Sequence, residues 1–323
     1  RCAVSGPKKR MRDSFLQAMK ERMAAARDVF FLTADFGSPV LDGVRKDFPD
    51  RFVNVGISEQ NLVNVATGLA LEGFRVVAYA IAPFITMRCL EQIRINLAIL
   101  SQVRPLNVTL VGVGAGYSYE VSGPTHQALE DIAVMRALPN VGVWSPADAA
   151  TAAAMAHRAL DVVGVRYLRL DSHPLPDLGP APTPDELKRG FRLGGSAGAA
   201  AAIVSTGYMS QLAGGVRDEL EAGGIPVRTV DLMDLAAPDL AALATELAAC
   251  RAILTLEEGF VGRGGMDSLL AQHLAPRLPK AKWTHAGLEP HYHFEIGPRD
   301  DLLAVQGLSR SALAARLIDR INA

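Results

Sequence analysis

Short apolar runs rich in β-branched residues alternate with longer stretches in which apolar positions recur every three or four residues. The alternation continues from about residue 11 to the end of the chain. It predicts an α/β fold: two α/β domains with mostly parallel sheets. In the first half the runs predict strands over 29–34, 52–55, 76–80, 108–113, 141–144 and 165–170, and helices over 11–26, 62–71, 87–100, 125–138 and 147–160. A second unit begins with a strand over 202–207 and a helix over 209–221, followed by strands over 225–232 and 252–256. Between the two units, residues 173–189 are proline-rich and are expected to hold no regular structure. The expected division is a tail (1–10), a first domain (11–172), a linker (173–190) and a second domain (191–323).

Composition narrows the function classes. With 323 residues, 49% of them hydrophobic, the chain can bury two full cores. Its 33 basic side chains face 34 acidic ones, a balance that argues against a phosphate backbone as the main partner. No apolar run reaches membrane-spanning length and no signal peptide is visible, so a soluble, cytoplasmic protein is expected. Cys2, Cys89 and Cys250 lie too far apart for metal-site spacing and read as buried or incidental thiols. No function is assigned to residues 1–9.

The first stretch with chemical content is Val53-Asn-Val-Gly-Ile-Ser-Glu-Gln-Asn61. A short strand runs into a turn at Gly56, Ser58 is placed to cap a helix with its hydroxyl, and Gly73 ends that helix. Glu59 thus occupies a helix's first turn at the carboxyl end of a strand, where open α/β sheets put their ligand crevices. A carboxylate there is either favoured by the helix dipole or catalytic. Gly112-Val-Gly-Ala-Gly116 resembles a dinucleotide fingerprint, but no helix opens at the glycines, as such a loop requires. It reads instead as a flexible active-site loop or a plain strand end.

Three further stretches are candidates. Gly123-Pro-Thr-His-Gln127 presents His126, whose imidazole can donate and accept a proton near neutral pH. Ile81-Ala-Pro-Phe-Ile-Thr-Met-Arg88 offers Phe84, as a stacking ring or a core residue, with Ile85 as the alternative. Arg169, in Arg166-Tyr-Leu-Arg-Leu170, is suited either to a phosphate or to a salt bridge at a strand end.

The whole word around Glu59, continued by Ala66-Thr-Gly-Leu-Ala70, resembles the pyrimidine-domain motif of transketolases, and Gly123-Pro-Thr-His-Gln127 resembles a second motif of that family. Thr229-Val-Asp-Leu232, Leu256-Glu-Glu258 and Gly262-Arg-Gly-Gly265 resemble its C-terminal domain, which packs and dimerises without carrying chemistry. The resemblance implies that Glu59 contacts the aminopyrimidine of thiamine diphosphate, with Phe84, Ile57 and Arg88 also on the cofactor. It implies that His126, Ser122, Arg169 and Ser38 face the sugar substrate, and that His126 moves protons. The implied reaction transfers a two-carbon ketol unit from a ketose to an aldose. Two positions depart from the family: Ser122 stands where an aspartate is usual, and Gly114 lies near the place of a phosphate-binding histidine.

A complete enzyme of this kind also holds the diphosphate through Mg²⁺, by a Gly-Asp-Gly run and a later asparagine that this sequence lacks. The chain is therefore expected to be the C-terminal half of a split transketolase, inactive alone. Its expected partner is an N-terminal subunit carrying the pyrophosphate domain, in an α2β2 assembly with the cofactor between subunits. Two rival readings are a decarboxylating relative, such as the β component of a 2-oxoacid dehydrogenase or a 1-deoxyxylulose-phosphate synthase-like enzyme, and a non-catalytic partner subunit.

Overall fold

The structure, a computed structural model, describes residues 7–36 and 40–323. Its first sheet has six parallel strands: β2 (Val29–Thr33), β3 (Phe52–Asn54), β4 (Arg75–Ile81), β5 (Asn107–Val113), β6 (Val141–Trp144) and β7 (Gly164–Leu170), after a two-residue β1 (Lys9–Arg10). They lie in the order β3-β2-β4-β5-β7-β6. β4 and β5 are nearly continuous apolar runs because helices cover both faces of a parallel sheet. Val76, Ala78 and Ala80 pack with Leu62, Val63 and Ala66 of the helix Glu59–Leu71, while Val77 and Tyr79 pack with Phe15 and Met19 of Met11–Ala25.

The second sheet contains β9 (Phe191–Gly195), β10 (Ala201–Ser205), β11 (Val227–Leu232), β12 (Ala252–Phe260) and β13 (Lys282–Leu288), after a two-residue β8 (Pro174–Leu175). Its order is β13-β12-β10-β11-β9, parallel except for β9, which pairs antiparallel with β11 at the edge. Neither β9 nor β13 was legible as a strand, and the helices Arg299–Val305 and Arg310–Asn322 were likewise missed.

The proline-rich stretch is more regular than its composition suggests. β8 pairs with β1, so Lys9 and Arg10 of the expected tail are held in a small ribbon. A helix spans Pro184–Arg189, opened by a capping box between Thr183 and Glu186 and closed at Gly190 (φ 79°). Pro184 sits at its first position, where a missing N–H costs nothing, so a proline there starts a helix.

The two sheets share one seam. Ser145 N donates to Met233 O at 2.9 Å, Leu235 N donates to Val143 O at 2.8 Å, and the Trp144 indole N–H donates to Asp234 at 3.1 Å. Arg192 bridges Asp148 (2.6 Å) and Asp231 (2.9 Å) across the same seam. Apolar packing is continuous through it, from Ile132, Met135 and Val143 to Val204, Val230 and Leu235.

Candidate active site

Glu59 is set by a turn that departs from the expected cap. Gly56 takes φ 76°, a region open to glycine at little cost. The Asn54 side chain ties the turn: its Oδ1 accepts from Gly56 N and from Asp35 N at 3.0 Å each, and its Nδ2 donates to Asp35 Oδ1 at 2.9 Å. The Ser58 hydroxyl makes no capping bond; its backbone N–H donates instead to Gly56 O at 2.8 Å. Glu59 begins the helix with only 4% of its surface exposed.

The partner of that carboxylate is Arg88, whose Nη1 donates to Glu59 Oε2 at 2.7 Å. The helix expected over 87–100 starts earlier, with π-helical turns over Phe84–Arg88 and Ile93–Ile99 flanking a short α turn. A π turn takes in an extra residue, and such turns gather at functional sites. That insertion explains why Phe84 and Ile85 compete for one place in the sequence register. The structure separates them: Ile85 is buried in the core, whereas the Phe84 ring lies 4.4 Å below the Arg88 guanidinium. His126 continues the line, its ring 5.2 Å from that of Phe84 and edge-on to it. The Thr125 hydroxyl stands 2.9 Å from His126 Nδ1. Glu59, Arg88, Phe84 and His126 therefore form one contiguous row. Beside them the Cys89 thiol is pushed up to about 12 by burial, reinforced by the Glu59 charge, which makes it an unreactive neighbour.

His126 lies in a turn, not on the expected helix. Gly116 N donates to Ala128 O (3.0 Å) and Ala128 N to Gly116 O (3.1 Å), which draws the chain across in an extended bridge and delays the helix to Asp131–Arg136. The Gly112–Gly116 run is packed rather than flexible. A Cβ at Gly112 would stand 2.7 Å from the Tyr167 ring, and one at Gly114 or Gly116 would overlap Tyr119 or the Glu258 carboxylate.

Ile57, Ser122 and Arg169 fall outside the row. Ile57 is 78% exposed beside Glu59. Ser122 is exposed in the same turn region as His126. Ser38 lies outside the described residues. Arg169 is buried, its Nε and Nη2 donating to Asp131 at 2.9 and 3.1 Å, while the Tyr167 hydroxyl donates to the same carboxylate at 2.7 Å. Of its two readings, this is the salt-bridged geometry. The sequence reading missed Arg299, 5% exposed in the second sheet's half, which reaches Asp171 and Glu258 across 128 and 41 residues of chain. No local pattern announces a contact of that span.

Residues 7–174 match the family "Transketolase, pyrimidine binding domain". The chain belongs to the transketolase family. Among transketolases, it is 33% identical over 275 residues to one of the subunits of the apulose-4-phosphate transketolase of Actinobacillus succinogenes, covering 83% of this chain and 84% of that one. It is 27% identical over 274 residues to the 6-deoxy-6-sulfo-D-fructose transketolase subunit SqwH of a Clostridium species, covering 83% and 82%. The solved structure of a split gene transketolase, an inactive β4 tetramer, is similar at TM-score 0.84 and 29% identity over 98% of this chain and 99% of that one. The transketolase of Pichia stipitis shares the fold at TM-score 0.80 and 18% identity, and there this chain spans 47% of the neighbour.

Proposed function

We propose that this chain is the C-terminal subunit of a thiamine-diphosphate-dependent split transketolase, a transferase that passes a two-carbon ketol unit from a ketose to an aldose. The observation that carries the reading is the row from the buried Glu59 carboxylate through Arg88 and Phe84 to His126. Similarity over 83% of the chain to a transketolase subunit, and over 98% of it to a split gene transketolase, supports it.

The residues suit the cofactor's aminopyrimidine end: a buried carboxylate for a ring nitrogen, and an aromatic ring beside it for stacking. Thiamine diphosphate, when bound, supplies the electron sink for breaking and making the carbon–carbon bond. Glu59 would present Oε1 to the ring nitrogen, since Arg88 engages Oε2. Burial keeps water from competing for that contact. Arg88 fixes the carboxylate's direction and covers one face of Phe84. His126, with Nδ1 met by the Thr125 hydroxyl, presents Nε2 for proton transfer to and from a sugar hydroxyl. Mg²⁺ and the diphosphate would be held mainly by an N-terminal subunit. The related subunits are named for sugars bearing a phosphate or a sulfonate, and an anionic sugar is the substrate class proposed here.

A second reading has one observation in its favour. The chain is 33% identical over 278 residues to the 1-deoxy-D-xylulose-5-phosphate synthase of Chlorobium luteolum, whose length it spans by 42%. Release of CO₂ from a 2-oxoacid donor would support that reading; ketol transfer without CO₂ supports the first. The decisive experiment titrates thiamine diphosphate and Mg²⁺ into the isolated chain and into its mixture with the N-terminal subunit. Weak binding alone, with tight binding and ketol transfer in the mixture, is expected. Tight binding or turnover by the isolated chain would overturn the split-subunit assignment.

A further inference from the structure

The turn region that carries Ser122 and His126 is held from the other half of the molecule. Its near end sits on Glu258, because Gly116 packs against that carboxylate closely enough to exclude a side chain. Its middle is tied by Glu120, whose Oε2 accepts the backbone N–H of Arg299 at 2.8 Å. Gly123, three residues before His126, faces Ile296, whose Cγ2 would lie 3.9 Å from a Cβ built there. Three points spread over eight residues thus rest on one segment and one strand end of the second sheet's half.

Arg299 is the centre of this arrangement. Its Nε donates to Glu258 Oε1 at 2.8 Å, its Nη2 bonds Glu258 Oε2, and its Nη1 donates to Asp171 Oδ2 at 2.5 Å. The guanidinium also lies 3.6 Å over the Tyr208 ring. Asp171 directly follows β7 and accepts from His173 N at 2.8 Å, so the same cation fixes both flanks of the substrate-side turns. A planar, five-donor group suits this position, since it serves two carboxylates while stacking on an aromatic face. The elements that carry Glu59 and Phe84 make no comparable contact with this segment among the bonds described.

We propose that Arg299 is a positioning residue for catalysis: from the C-terminal domain it holds the turn bearing His126 in register with the Glu59–Phe84 row, so this domain sets the substrate side of the site while leaving the cofactor side alone. The proposal rests on the transketolase reading above.

The test uses the chain assembled with its N-terminal subunit and compares wild type with Arg299→Met, Arg299→Lys, His126→Ala and the double variant Arg299→Met/His126→Ala. If Arg299 positions His126, Arg299→Met lowers kcat/KM for the ketose donor per cofactor-loaded site by roughly ten- to a hundredfold, the order that a displacement near 1 Å brings. Thiamine diphosphate affinity stays within about twofold, and Arg299→Lys recovers part of the loss. In the double variant the two losses do not multiply, since both act through one imidazole. Should Arg299→Met fail to assemble, Ile296→Ala, at an exposed position, gives the same pattern with a smaller loss. Unchanged kinetics per loaded site, or multiplicative losses in the double variant, would overturn the proposal. Absence of ketol transfer by the wild-type assembly would instead remove the function on which it rests.

Discussion

A carboxylate that is almost fully buried and meets one guanidinium depends on that guanidinium for its environment. Replacing Arg88 by Met leaves Glu59 desolvated and unpaired, which costs roughly 1–2 kcal/mol even after allowing for the solvent that reaches Arg88. Urea unfolding at neutral pH should show that loss. Glu59→Gln keeps the volume and replaces the carboxyl by a hydrogen-bonding amide, which cannot exchange a proton. In the assembled enzyme, hydrogen exchange at the cofactor's reactive carbon should then slow by at least about a hundredfold, the scale of a lost acid–base group. Wild-type exchange in that variant would sink the role given to Glu59. At this scale the sequence was informative because Glu59 and His126 each sit inside a contiguous word. Arg88 as the partner of Glu59 was not legible, since the pairing depends on the extra residue in the π turn.

Elements were legible where one period dominates. β6 was expected with the bounds that it has, and β5 and β7 differ by a single residue, because buried parallel strands are mostly apolar runs. The helix expected over 125–138 is confined to Asp131–Arg136 because a strand-like bridge to Gly116 overrides the helical spacing of apolar positions before it. The strands β9 and β13 escaped because half-exposed edge strands carry a weaker apolar signal. Two element-scale outcomes are expected. Gly116→Ala, at φ 58° and against Glu258, should destabilise the fold by roughly 2–4 kcal/mol in chemical unfolding. The second concerns Glu257, whose carboxyl accepts from Met266 N and Asp267 N at the start of the helix Met266–His273. Burial, reinforced by Asp267, pushes its pKa from 4.5 to about 7. A carboxyl that binds its proton more tightly when folded stabilises fully below its unfolded pKa. That contribution is lost as the pH rises from about 4.5 through 7, at up to roughly 1.4 kcal/mol per pH unit. Glu257→Gln should flatten this slope in melting curves taken across that window.

At the scale of the whole molecule, two sheets share apolar packing, backbone hydrogen bonds and buried ion pairs, a tighter junction than the default for neighbouring domains. The halves are therefore expected to unfold together, with one transition by every probe. Two copies of this chain with two of an N-terminal subunit are the expected active assembly, and native mass spectrometry of the mixture checks that stoichiometry. Among the described residues no helix is long and apolar enough to cross a membrane.

One side chain at the seam can report on all of this without a label. Trp144, one of only two tryptophans, has its ring nitrogen bound to Asp234 and its ring faced by the guanidiniums of Arg158 and Arg166. Nearby cations and a charged acceptor shape both the brightness and the colour of indole emission, so parting the seam would change the protein's own fluorescence before either sheet had melted. A shift in emission running ahead of the circular-dichroism change on heating would locate the weakest plane of the molecule at that junction. Coincident curves would mean that the junction is as strong as the sheets it joins.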